Sequence, residues 1–236
     1  MSDSNMPEIY LRTAIGVLLG MLVMIIFTVG VVIAQSPLHL SIGRALDALF
    51  GASSVQALWY VTRAAGLIAY LLLWLSIAWG LAVSSKIFDP LLHRAFTYDM
   101  HQFISLLAIG FTILHVGVLV ADRYLPFSLA AILVPFVASY RPLWVGIGVI
   151  GLYLTLLVSI TFYIRRWIGQ KTFRLIHLAS FLAYIAVTLH GLMAGTDSPL
   201  WTTQLMYAGT ALVIVFLTVY WVFMALASKL VAYAVE

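Results

Sequence analysis

Uncharged stretches of about twenty residues recur along almost the whole chain, and they dictate the solvent in which it folds. A helix rises about 1.5 Å per residue, so about 20 apolar residues carry it through a hydrocarbon layer about 30 Å thick. Six such stretches lie at 13–34, 64–85, 100–121, 142–164, 175–196 and 204–228. The first three are closed by Arg12, by Arg63 and Lys86, and by Asp99 and Asp122. The expected fold class is an all-α integral membrane protein, a six-transmembrane-helix bundle forming one domain over 1–236. Composition agrees, because 64% hydrophobic and 8% charged residues cannot keep a water-exposed surface solvated. The first stretch is longer than the apolar region of a signal peptide and follows Asp3 and Glu8, so it reads as a retained helix. Gly16 and Gly20 on it permit a neighbouring helix to approach closely.

Residues 124–140 are also uncharged, but Pro126 and Pro135 interrupt a stretch of only 17 residues. That pattern suits an interfacial or re-entrant segment rather than a seventh crossing. The basic residues point the same way. With six spans and both termini in the cytoplasm, Arg12, Lys86, Arg94, Arg165, Arg166, Lys171, Arg174 and Lys229 fall inside. Arg44, Arg63, Arg123 and Arg141 fall outside, eight against four. A seventh span would carry the Arg165 to Arg174 cluster outward and reverse the bias. Trp59, Tyr60, Tyr124, Tyr140, Trp144 and Trp201 then mark the outer interface, and Tyr98, Tyr163 and Trp167 the inner one. The expected setting is the cell (plasma) membrane, with lipid as the surrounding partner. The net charge of +4 reports orientation and carries no nucleic-acid footprint.

The chain has no cysteine, which excludes disulfides, thiolate-bound zinc, iron–sulfur clusters and thioether-attached haem. Any metal must therefore use histidine or oxygen. Of the six histidines, His39 and His93 fall in expected loops, His101 and His115 on the third span, and His177 and His190 on the fifth. Ionisable groups inside a membrane are costly unless they are paired or functional. The third and fifth spans run parallel, so His101 and His177 lie near the cytoplasmic end, with His115 and His190 about 20 Å further along. Each facing pair would supply the two axial ligands of a haem iron, and neutral imidazole adds no charge to the membrane interior.

The 14-residue spacing on the third span is nearly four turns and sets both rings on one face. The 13-residue spacing on the fifth leaves its rings about 140° apart on an ideal helix. That helix must be kinked or rotated, or must meet the two cofactors from different sides. Small residues continue both faces, Ser105, Ala108 and Thr112 on one and Ala186, Ala183 and Ala179 on the other. The competing account is ordinary helix packing, with each histidine hydrogen-bonded to a neighbour. For two matched pairs, a shared ligand accounts for number, helix choice and depth together.

Haem propionates favour arginine near each face, which makes Arg63, Arg123 and Arg141 outer candidates and Arg94, Arg166 and Arg174 inner ones, with Arg63 and Arg141 preferred. Met100 and Met193 are redundant as ligands beside the histidines. Gly146, Gly148 and Gly151 spell G-x-G-x-x-G, but inside the fourth span, with no preceding strand and with Lys171 where an acidic ribose partner would stand. Helix packing is expected there rather than a dinucleotide site. No nucleophile or general acid–base pair stands out, so no catalytic residue is assigned.

The residues that carry these features also resemble the ferric-reductase-like transmembrane domain family. That family includes the membrane halves of NADPH oxidases, ferric and STEAP-type metalloreductases, and the haem subunit of a bacterial periplasmic methionine sulfoxide reductase. The resemblance spans almost the whole chain. Its carriers are Trp59-Tyr60-Val61-Thr62-Arg63-Ala64-Ala65-Gly66, Asp99-Met100-His101 with a second histidine 14 residues on, Ser139-Tyr140-Arg141-Pro142-Leu143-Trp144, and His177 followed by His190-Gly191. It implies six helices, two b haems, and electrons passed from the cytoplasmic to the outer side. His101 and His177 would hold the inner haem, and His115 and His190 the outer one.

The sequence departs from oxidases and many reductases in that only Lys229 to Glu236 follow the sixth span. No flavin or nicotinamide domain fits there. The expected donor is a cytoplasmic flavoprotein carrying FAD or FMN, or a membrane quinol. The expected acceptor is ferric iron, oxygen or a partner protein on the outer face. Two other readings stand beside this oxidoreductase component. One is a cytochrome b anchor subunit of a larger respiratory complex, and the other a haem-free transporter or scaffold whose histidines hydrogen-bond or carry protons.

Overall fold

The structure, a computed structural model, describes residues 54–121 and 127–235, with side chains placed for 58–120 and 127–227. The first expected span, 13–34, lies outside the described residues, as do Arg12, His39, Arg44, Asp122, Arg123, Tyr124, Pro126 and the side chain of Lys229. The described chain is helical and contains no strand. Its elements are α1 (Ser54–Ser84), α2 (Arg94–Ala121), α3 (Leu129–Leu133), α4 (Pro142–Ile168), α5 (Gln170–His177), α6 (Ala179–Ala194) and α7 (Trp201–Val235). Five stretches of helix are long and apolar enough to cross a membrane, at Leu58–Ser84, Arg94–Val120, Pro142–Ile168, Gln170–Ala194 and Trp201–Ala227.

Each of the five coincides with one expected span, the second to the sixth, and most overrun it by several residues. Hydropathy marks only the part of a helix in hydrocarbon, whereas the helix itself runs on to a breaker. Between α4 and α5 the breaker is Gly169 at φ 80°, a left-handed conformation that costs glycine nothing. At the start of α4, Arg141 at φ 40° is followed by Pro142 in the first turn, where a missing N–H is harmless.

The distribution of side chains is that of a bundle solvated by lipid. Apart from a tyrosine cluster, the most buried residues are mostly small, with Ala65 and Ala108 at 2% exposure and Ala183 at 1%, while Leu212 and Phe216 are 69% and 68% exposed. In hydrocarbon, large apolar groups gain nothing by moving inward, so small residues that permit close backbone approach take the interior. A buried cluster of Tyr70, Tyr184 and Tyr207 ties α1, α6 and α7 together. The Tyr70 hydroxyl lies 2.5 Å from Thr210 Oγ1 and 3.2 Å from the Tyr184 hydroxyl, and its ring packs on Tyr207 at 4.6 Å. These bonds satisfy hydroxyls that have no water to turn to.

The segment before α4 is no crossing in its described part. α3 has five residues, about 7.5 Å of rise. Ser128 caps it by accepting from the Ala131 amide at 3.1 Å. The chain beyond it folds back on the bundle, with Ala131, Ala138, Val145 and Ala194 in one cluster.

α2 packs along α1 and α6 along α4, with α7 against α1. α2 makes no extensive contact with α5 or α6, and across that space His101 faces His177 of α5 and His115 faces His190 of α6. The fifth expected span is interrupted at Leu178, between α5 and α6. The Leu178 amide is shared between the carbonyls of Arg174 at 3.3 Å and Leu175 at 3.2 Å, and Phe181 bonds Leu178 at 3.1 Å. Bonds to the third residue back wind the chain at about 120° per residue instead of about 100°. The extra rotation falls between His177 and His190 and acts to close the offset that their spacing implies.

Candidate functional site

The described helices bring the four span histidines together as two pairs. The rings of His101 and His177 are 6.1 Å apart between centroids at 73°, and those of His115 and His190 are 6.4 Å apart at 74°. A transition metal sits about 2.0–2.1 Å from an imidazole nitrogen, itself about 1.1 Å from the ring centre, so rings on opposite sides of one metal have centroids about 6.2–6.4 Å apart. Both pairs therefore stand at the separation that one interposed metal requires. The pairing also shows that α2 runs parallel to α5 and α6.

Hydrogen bonds set the tautomers. His115 Nδ1 is 2.8 Å from the Thr62 carbonyl oxygen and His190 Nδ1 is 2.9 Å from that of Trp144. A carbonyl can only accept, so Nδ1 carries the hydrogen in both rings and Nε2 keeps its lone pair for a metal. Both carbonyls belong to helices, where the side chain four residues on would normally crowd them. In both cases that residue is glycine. A Cβ on Gly66 would stand 2.9 Å from His115 Nδ1, and one on Gly148 would stand 2.5 Å from His190 Nδ1. Each glycine opens a helical carbonyl to an imidazole from the neighbouring helix.

The arrangement recurs 14 residues further along α1, at Ser76 and Gly80. A Cβ on Gly80 would lie 3.1 Å from His101 Cε1. Ser105 donates to the His101 carbonyl at 2.7 Å, so its oxygen accepts from Ser76, also at 2.7 Å. The Ser76 oxygen is left to accept from His101 Nδ1, at a longer 3.5 Å. Because α1 runs against α2, its 14-residue repeat matches the spacing of His101 and His115. His177 differs from the other three. Its Nδ1 is buried without a partner among the described residues, and its ring leans on Phe173 at 5.2 Å between centroids.

Each pair faces a cavity. The larger, about 210 Å³, is lined by His115, His190, Gly66, Gly148, Arg63 and Asp197 among others. The smaller, about 130 Å³, is lined by His101, His177, Ser76, Ser105, Ser159 and Trp221 among others. Leu73, Ala108 and Thr155 border both, so only these residues' thickness separates the neighbouring cavities there. The small face expected on α2 is present, since Ser105, Ala108 and Thr112 line these cavities. On α6, Ala183 lines the smaller one, while Ala186 packs near Gly151 instead. Among the described residues no third histidine or carboxylate joins either pair to form a metal-binding cluster. Two protein ligands leave most of a coordination sphere to be supplied by the bound group, as a macrocycle does.

The arginines separate. Arg63 lines the larger cavity but is held there by Asp197, with Nε 2.7 Å from one carboxylate oxygen and an Nη against the other. Asp197 thus takes the guanidinium edge that the sequence reading reserved for a propionate. Arg141 donates to the Met193 carbonyl and lies over the Tyr140 ring at 5.3 Å, outside the cavity lining. The glycines of the G-x-G-x-x-G string pack as helix contacts, Gly146 against Phe136, Gly148 against His190 and Gly151 against Val187.

The Arg63–Asp197 side chains are 30% and 16% exposed, between the regimes of surface and buried pairs. Asp197→Asn is expected to lower stability by about 1–3 kcal/mol, read as a lower unfolding midpoint in detergent. No change would mean that the pair does not fasten α1 to the α6–α7 connection.

Sequence reading missed Asp197, Gly80 and the accepting carbonyls. The recurrence of Gly66 and Gly80 at the same 14-residue spacing as the α2 histidines was a signal available in the chain. Fold and site define a multi-pass helical bundle with two facing histidine pairs at different depths. No family model, curated protein or solved structure matches the chain.

Proposed function

We propose that this chain is a di-haem, b-type transmembrane electron-transfer protein of the ferric-reductase-like kind. The observation that carries the reading is the pair of histidine couples at 6.1 and 6.4 Å, each spaced for one metal between imidazoles. Haem supplies one-electron redox chemistry that no side chain here provides. The chain's part is to present neutral imidazole from two helices, to fix its tautomer through Thr62, Trp144 and Ser76, and to wall the site with small and apolar side chains. The residues fit that group, because α2 makes no extensive contact with α5 or α6 and each histidine pair lines a cavity of its own.

With the Arg94, Arg165, Arg166, Lys171 and Arg174 end in the cytoplasm, electrons enter near His101 and His177 and leave near His115 and His190. The donor is a cytoplasmic flavoprotein or membrane quinol, and the acceptor lies on the outer face. Both rings of each pair line one cavity, and Leu73, Ala108 and Thr155 line both cavities, which favours a transfer path inside the bundle.

The test is a dithionite-reduced minus oxidised spectrum of the purified chain with haem measured per polypeptide. The expected result is a b-type spectrum with about two haems per chain. A colourless protein after expression with ample haem would overturn the proposal and leave the transporter or scaffold reading.

A further inference from the structure

We infer that the two histidine pairs are unequal ligands, with His115 and His190 the stronger electron donors, so that iron held at the opposite, basic end has the higher reduction potential. The inference rests on the di-haem reading and concerns what these side chains do to the iron they hold.

An imidazole that gives its Nδ1 hydrogen to a good acceptor becomes more basic at Nε2, and a more basic axial ligand favours the oxidised metal. His115 and His190 both donate to backbone carbonyls at 2.8 and 2.9 Å. At the other pair, His101 faces Ser76, its hydroxyl at 3.5 Å and its backbone carbonyl, while His177 Nδ1 has no partner among the described residues. One pair is strengthened at both rings, the other at His101 alone.

The fixed charges act in the same direction by a separate route. Beside His115 and His190, Arg63 is neutralised by Asp197. Arg141 is a further described cation at that end, whereas at the basic end Lys86, Arg94, Arg165, Arg166, Lys171 and Arg174, the last one turn from His177, outnumber Asp89 and Asp99. Positive charge favours the reduced iron, and its influence reaches about 8–10 Å before salt screens it. Hydrogen bonding and charge therefore order the two sites alike. A consequence for the proposed direction is that passage from the basic end outward is the uphill step, so the final acceptor must be a stronger oxidant than either site.

Potentiometric titration of the full chain in lipid nanodiscs, followed through the b-haem absorbance, tests this. Two waves are expected. The higher should be the one missing in His101→Ala and the lower the one missing in His115→Ala. Where a ligand variant fails to fold, Ser76→Asn provides a second route, since its side-chain carbonyl puts a stronger acceptor before His101 Nδ1. It should move the higher wave downward and leave the lower in place. The reverse assignment, or a Ser76→Asn shift confined to the lower wave, overturns the inference while leaving two haems in place. Absence of haem from the parent overturns the functional proposal itself and this inference with it.

Discussion

Haem content is expected to fall from about two to about one per chain in His101→Ala, with the same loss in His115→Ala and none left when both are replaced. The two pairs are separated by 14 residues of α2, about 21 Å of helix, and share no ligand. Removing one imidazole should thus empty its own site and leave the other intact. His101 and His115 are the informative choices because each is the only α2 contribution to its pair. Neither replacement strands a hydrogen-bonding group in the membrane. The Thr62 carbonyl belongs to α1, and Ser76 keeps its bond to Ser105. Retention of both haems in His101→Ala would remove His101 from the ligand set. Loss of both from a protein that still purifies as a monodisperse species would mean that the sites are coupled.

Gly148→Ala is expected to abolish haem at the His115–His190 pair while sparing the other, although the change adds a single methyl group. That methyl would stand 2.5 Å from His190 Nδ1, where real carbon atoms do not stand, so the ring must move away from the Trp144 carbonyl. Overpacking of this kind costs about 1–3 kcal/mol, against a gain of about 0.5–1 kcal/mol from replacing a helical glycine by alanine. Gly110→Ala on α2 separates the two effects. A Cβ there meets nothing within 4 Å, so this variant should retain both haems and be as stable as the parent or slightly more so. Haem quantification and thermal unfolding read both outcomes. A Gly148→Ala protein with full haem content would show that the glycine is a packing convenience rather than a seat for the ring.

The residues just described mark where the sequence stopped being sufficient. The spans were legible because lipid acts on each stretch of chain independently, and a run of apolar residues is recognisable without its neighbours. The five helices long and apolar enough to cross, among the described residues, follow from that local rule. The reading of 124–140 as something other than a crossing followed from prolines and charge bias, and its described part is a short helix and folded-back chain. The choice of His101, His115, His177 and His190 as a group was likewise local, because each is an ionisable residue at membrane depth. The need for a rotation between His177 and His190 could be counted from their spacing, and the irregular turn at Leu178 lies between them.

Which groups surround the histidines depended on how each helix is turned about its own axis. Periodicity within one apolar helix does not fix that angle, since a helix that is hydrophobic all round has no preferred face to report. Asp197 came to Arg63 across 134 residues of chain. Thr62 and Trp144 orient the histidine rings through backbone carbonyls, which every residue has and no sequence pattern singles out. The amino-acid sequence thus determined, through local solvation, that this chain has helices apolar enough to cross a membrane, with four histidines on two of them. The tertiary structure alone decided which carbonyls and glycines face them, because those contacts are made between helices whose relative rotation is set by packing and not by apolar composition.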